Sequence, residues 1–190
     1  ARLDKRTINF KRMHQQVSER DVSPFSFTNK KINKNRVKCF ITYTNKKTHK
    51  IIKDNLDSSP LFTGKIQSKG VRYCPSLEDK IVKFPQKDKH QIFIEPAGLN
   101  SPEIYPNGIS TSLPLEVQMN FIHSIGGLED AKIIRPGYGI EHGVIEARQL
   151  FSNLESQKYP GLFFAGQVNG TTGYEEAAAQ GLIAGVNAVL

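Results

Sequence analysis

The chain has no tryptophan, two methionines and two cysteines in 190 residues. Cys39 and Cys74 are too few for a disulfide framework and make no plausible metal set, so no metal is expected. That usage fits a reducing, cytoplasmic location. No apolar run approaches transmembrane length, and Ala1–Arg6 lacks the apolar stretch of a signal peptide, so no membrane association is expected. A Gly-x-Gly-x-x-Gly fingerprint is also missing. A dinucleotide-binding half should open with that strand–glycine–helix unit.

Acidic residues are scarce in one half only. Residues 1–90 hold 22 Lys/Arg against 8 Asp/Glu, whereas residues 91–190 hold 4 against 10. A basic half joined to an acidic one suggests that the first part meets a polyanion, with nucleic acid the obvious candidate. A solvated, lysine-rich surface produces the same count.

The most informative stretch is Gly161–Gly181. Leu162–Ala165 is a short apolar run that reads as a buried strand. Gly166–Gly173 is a loop with three glycines. From about Tyr174 to Leu190 the sequence is rich in alanine and has no proline, which predicts a helix. A helix start leaves backbone N–H groups unpaired and carries partial positive charge. Gly166, Gln167, Asn169, Gly170, Thr171, Thr172 and Gly173 are therefore candidate ligand contacts. The alternative is a tight strand–helix connection with no ligand, although the loop carries more hydrogen-bonding groups than a plain turn requires.

Elsewhere, Lys38–Thr44 alternates and is β-branched, predicting a strand. Thr44–Asp57 reads as a helix that Asn45 or Thr48 could cap. Lys80–Phe84 alternates and His90–Glu95 is a strand, with a hairpin turn at Lys87–Lys89 between them. Pro96–Asn100 is a turn, and Glu103–Ile109 carries a Tyr-Pro-Asn-Gly turn signal. Ser112–Ile125 reads as a helix capped by Ser112 and stopped by Gly126 and Gly127. Ala131–Ile134 is a strand. Residues 1–25 show little periodicity. The class is α/β, with a mixed rather than purely parallel sheet because hairpin signals fall between residues 80 and 109.

Cys74 sits between Arg72 and Pro75. A thiol beside a guanidinium can become a nucleophile, and Pro75 restricts the backbone at Cys74. A small buried residue is the alternative, and Cys39 reads as structural. His90 reads as a strand-end hydrogen bonder. Glu95 and Asn107 are either turn supports or site residues.

Several stretches together resemble the glucose-inhibited division protein A family, the flavoprotein subunit of the bacterial tRNA wobble-uridine modification enzyme. They are Arg72-Tyr-Cys-Pro-Ser-Leu-Glu-Asp-Lys80, His90-Gln-Ile-Phe-Ile-Glu-Pro96, Ile104–Pro114, Arg135-Pro-Gly-Tyr138 and the Gly161–Gly181 segment. The resemblance implies the second half of a Rossmann-like FAD-binding domain at residues 78–190, with an inserted small α/β domain over residues 1–77. It implies FAD at the Gly166–Gly173 loop. It implies NADH at Gly70, Arg72, Tyr73, Cys74, Pro75, Ser76, Glu78, Asp79 and Lys80, with Cys74 taking part in the chemistry.

The activity implied is installation of a carboxymethylaminomethyl or aminomethyl group at C5 of the tRNA wobble uridine. Methylene-tetrahydrofolate would be the one-carbon donor, with a GTPase subunit as partner and a homodimer as the assembly. With no glycine fingerprint, the chain is expected to be a piece of a larger protein. The reading from another class is a non-catalytic, basic RNA-binding fragment. The family typically continues Arg-Pro-Gly-Tyr with Ala-Ile-Glu-Tyr-Asp, whereas here Gly139-Ile-Glu-His-Gly143 follows. His142 and Gly143 thus replace an aromatic and a carboxylate. His142 is a conceivable acid/base group.

Overall fold

The computed structural model describes residues 1–17, 22–32, 37–67, 70–72 and 75–190. They form two compact units. The first comprises Ala1–Lys65 with Pro75–Gly139, and the second comprises Ile140–Leu190 with the described part of Ile66–Cys74.

The first unit is built on one six-stranded sheet. Its strands are β1 (Arg2–Asp4), β2 (His14–Gln16), β3 (Cys39–Tyr43), β4 (Gln91–Pro96), β5 (Glu103–Asn107) and β6 (Ile133–Arg135), in the order β2-β3-β4-β5-β1-β6. Every pairing is antiparallel. The chain is α/β as expected. The Pro96–Asn100 turn signal corresponds to the β4–β5 hairpin, where Ile94 faces Pro106 and Pro96 faces Ile104. Pro106 can sit in an inner strand because β1 reaches only Ile104 and Glu103 on its other side.

The sheet joins strands from before and after residue 77, so the division at 77/78 does not coincide with the compact units. Neither β1 nor β2 has a periodic signal; each is three residues long and is recruited by its neighbours.

Burial explains the elements that were legible. Along β4, Ile92 and Ile94 are fully buried while Phe93 between them is not. They meet Leu3, Ile104, Phe121 and Ile122 in one core. Helix α1 (Lys46–Lys53) starts on a reciprocal cap: Thr48 N donates to Asn45 Oδ1 at 3.0 Å and Asn45 N to Thr48 Oγ1 at 3.3 Å. The Asn45 amide also donates to Ser124 O at 2.6 Å, tying α1 to the end of α3 (Leu115–His123). Ser112 does not cap α3. Pro114 occupies the cap position, and Ser112 bonds Glu78 and Ser59 instead.

Two expectations are overturned. Lys80–Phe84 is not a strand but lies in and just beyond helix α2 (Leu77–Lys83), so no hairpin turns at Lys87–Lys89. The alternation there is a fragment of a helical face, with Leu77 and Ile81 buried four residues apart. A second reciprocal cap, Ser76 with Asp79, fixes the helix start. Leu162–Ala165 is likewise not a buried strand. It contributes one isolated bridge, Phe163 to Glu155, and Leu162 is exposed. With no neighbouring ladder to join, four apolar residues form no sheet.

The second unit carries helix α4 (Tyr174–Asn187), as expected. Ala184 is its one buried apolar residue, while Leu182, Ile183 and Val186 are exposed. Among the described residues, no helix is long and apolar enough to cross a membrane.

Candidate cofactor site

The glycine loop folds as a short 3-10 turn, Gly166–Asn169, closed by Gly170 N donating to Gln167 O at 3.1 Å. Gly166 (φ 80°) and Gly170 (φ 85°) both lie in the left-handed region, where a side chain would strain the backbone. Helix α4 holds the turn from behind: Gln180 Oε1 accepts from Gly166 N at 3.0 Å and from Asn169 Nδ2 at 3.2 Å. Asn169 and Thr171 are more than nine-tenths buried. Asn169 Oδ1 and Thr171 Oγ1 have no hydrogen-bond partner among the described residues. A buried oxygen left unpaired costs about 1–3 kcal/mol. Two in one loop fit a site whose ligand supplies the missing hydrogen bonds.

Gly173 is the N-cap of α4, so no capping side chain comes from that position. Glu175 and Glu176 lie in the first turn, and the Glu176 carboxylate lies where a Cβ on Gly173 would sit. These carboxylates already offset the positive end of the helix. The helix dipole is therefore a weaker attraction for a negative ligand than the sequence suggested. The positive group is Arg72, whose Nη2 donates to Gly173 O at 3.4 Å and whose guanidinium stacks on the Tyr174 ring at 4.6 Å. Arg72 Nε is buried with no partner among the described residues.

His142 completes the arrangement. Its Nδ1 accepts from Gln167 Nε2 at 2.9 Å, and its ring lies against Gly70, where an added Cβ would meet His142 Cδ2 at 2.9 Å. Gly70 and Arg72, expected at the nicotinamide cofactor, thus share a unit with Gly166, Gln167, Asn169, Gly170, Thr171 and Gly173, expected at the flavin. Thr172 is exposed beside them.

Pro75, Ser76, Glu78, Asp79 and Lys80 belong to the other unit. Ser76 and Asp79 cap α2. Glu78 is fully buried, its Oε1 accepting from Thr111 Oγ1 and Ser112 N, each at 3.0 Å. Lys80 Nζ donates to Gly108 O at 2.8 Å. Tyr73 and Cys74 lie outside the described residues.

Asn107 Nδ2 donates to Glu95 Oε1 at 3.1 Å, a cross-strand pair on β5 and β4. His90 immediately precedes β4, and its ring lies 5.3 Å from that of His49. Burial first, then neighbouring positive groups, lowers the pKa of both. Burial, with Glu95 adding to it, pushes the Cys39 thiol up. Sequence reasoning missed Gln180 as the loop's anchor and Arg72 as its guanidinium, and it gave His142 no partner. The His142 substitution was the one visible signal.

A glycine loop with two orphaned buried oxygens has the open backbone and the polar groups to receive a polar small molecule. The family is also shown directly. The model of the family described as Glucose inhibited division protein A matches residues 1–190, and the chain belongs to that family. It is 55% identical over 190 residues to the tRNA uridine 5-carboxymethylaminomethyl modification enzyme MnmG of Borreliella burgdorferi (strain ZS7), covering all of this chain and 31% of that protein. The protein of the same name from Thermodesulfovibrio yellowstonii is 56% identical over 189 residues, covering 30% of its length. The chain thus spans about a third of the curated relatives it matches. Aquifex aeolicus GidA in its form I crystal superposes with a TM-score of 0.83 at 52% identity, covering all of this chain and 33% of that one.

Proposed function

We propose that this chain is the part of a flavin-dependent tRNA uridine modification enzyme that closes over the flavin. Gly166–Gly173 would hold FAD, with Gln167, Asn169 and Thr171 as its side-chain contacts. The carrying observation is the pair of buried, unpartnered oxygens, Asn169 Oδ1 and Thr171 Oγ1, in the left-handed glycine loop ahead of α4. The names of the relatives support tRNA uridine as substrate. Bound FAD would supply the electron-transfer chemistry. The protein's residues would orient it, shield it from water and meet its polar edge.

In the whole protein, NADH as reductant would meet the segment Gly70–Lys80, with Cys74 beside the chemistry. Methylene-tetrahydrofolate would donate the carbon, a GTPase subunit would be the partner, and the assembly would be a cytoplasmic homodimer. Purified full-length protein should be yellow. Asn169→Ala and Thr171→Ala should each weaken FAD binding about 5- to 30-fold. A colourless full-length protein with no measurable FAD affinity overturns the proposal.

The second reading, a basic RNA-binding fragment, is favoured by one surface. Lys46, Lys50, Lys53 and Lys87 line one cleft of the first unit, with Asp54 and Asp88 pairing two of them. Phosphate contacts there would make tRNA affinity fall steeply with salt.

A further inference from the structure

Resting on the reading of Gly166–Gly173 as a flavin loop, we infer that His142 is a positioning residue that holds the Gln167 amide in place at the loop. A Gln side-chain nitrogen can only donate, so at 2.9 Å His142 Nδ1 must be the acceptor. The contact ties the amide end of Gln167 to the ring. The –NH2 group turns to the imidazole and the carbonyl turns away from it.

Gln167 is half-buried and lies in the loop whose Asn169 and Thr171 oxygens are orphaned, so holding its amide in place keeps the polar face of the loop ordered. The ring is held in place from the opposite side. Gly70 packs against Cβ, Cγ and Cδ2 of His142, and any side chain at 70 would collide with it. The backbone on either side is fixed separately: Ile145 N donates to Val168 O at 2.9 Å, and Gln67 N to Glu141 Oε1 at 3.1 Å. His142 thus packs on Gly70 and reaches the loop through a single directional bond.

The test is a double-mutant cycle in the full-length protein, with FAD as the probe and its dissociation constant as the readout. His142→Phe keeps a ring over Gly70 and removes the acceptor. His142→Asn keeps an acceptor near the Nδ1 position. The Phe variant should weaken FAD about threefold to tenfold with Gln167 present and should add little in a Gln167→Ala background. The Asn variant should recover most of the loss. If the Phe variant does not fold, as judged by its circular dichroism, His142→Leu takes its place in the cycle.

Losses that add fully, or an Asn variant as weak as Phe, reduce His142 to a packing residue and overturn the inference while leaving the flavin loop intact. Full-length wild-type protein that binds no FAD overturns the flavin reading itself and the inference with it.

Discussion

Gln180, the seventh residue of α4, accepts a hydrogen bond from Asn169 Nδ2 at 3.2 Å. The same oxygen takes the Gly166 amide at 3.0 Å. The helix that follows the loop therefore also braces it. Gln180→Ala leaves the buried Gly166 amide unpaired and should cost about 1–3 kcal/mol. The loss should be local, seen as faster hydrogen exchange of Gly166 and Gly170 with little change in the sheet. Unchanged exchange at those amides would show that the brace is dispensable.

Glu78 offers a second, independent site. Its carboxylate is fully buried and satisfies Thr111 and Ser112. Glu78→Ala would strand both donors and should lower stability by about 2–4 kcal/mol through several lost partners. Glu78→Gln keeps one acceptor oxygen and should cost less. Urea unfolding of the two variants, compared at constant m-value, checks the order.

Ile94 is fully buried in the middle of the sheet, paired with Phe40 on one side and Pro106 on the other. Ile94→Ala should cost about 2–5 kcal/mol by opening a cavity that the flanking strands cannot close. A loss below about 1 kcal/mol by chemical denaturation would mean the neighbours repack.

Acid should weaken the first unit in two separate windows. His49 and His90 have lowered pKa values, from burial first. The unfolded chain then binds more protons than the fold below about pH 6.5, so stability falls as pH drops through that range. Replacing both histidines by Gln should flatten this limb of the thermal transition. Asp4 behaves in the usual carboxylate sense: hydrogen bonds from the Arg6 side chain and backbone hold it at about 2. Its contribution is present above about pH 4 and is lost as pH falls toward 2. Asp4→Asn should remove that lower limb and leave the histidine limb unchanged.

The legible elements were those whose side chains declare both period and punctuation. β3, β4, α1 and α4 carry runs of β-branched, capped or alanine-rich residues, and they appear near the expected bounds. α2 was misread because five residues cannot separate a strand's alternation from one side of a helix; the Ser76–Asp79 cap was the better signal. β1 and β2 were invisible, since three residues become a strand only when a ladder is already beside them. At the candidate site the glycine loop was plain in the sequence. Its supports were not, because Gln180, Arg72 and His142 act over separations of 11 to 101 residues. Hydrogen-bond direction across such distances leaves no local pattern.

The place of β1 in the sheet has a consequence for assembly. Arg2–Asp4 pairs with Glu103 and Ile104 on one edge and with residues 133–135 on the other. During synthesis its neighbours in this sheet, β5 and β6, emerge about a hundred residues or more after it. Closing so long a loop late should make the sheet's final step slow. In that interval Leu3, later sealed from water, is the residue a chaperone would find.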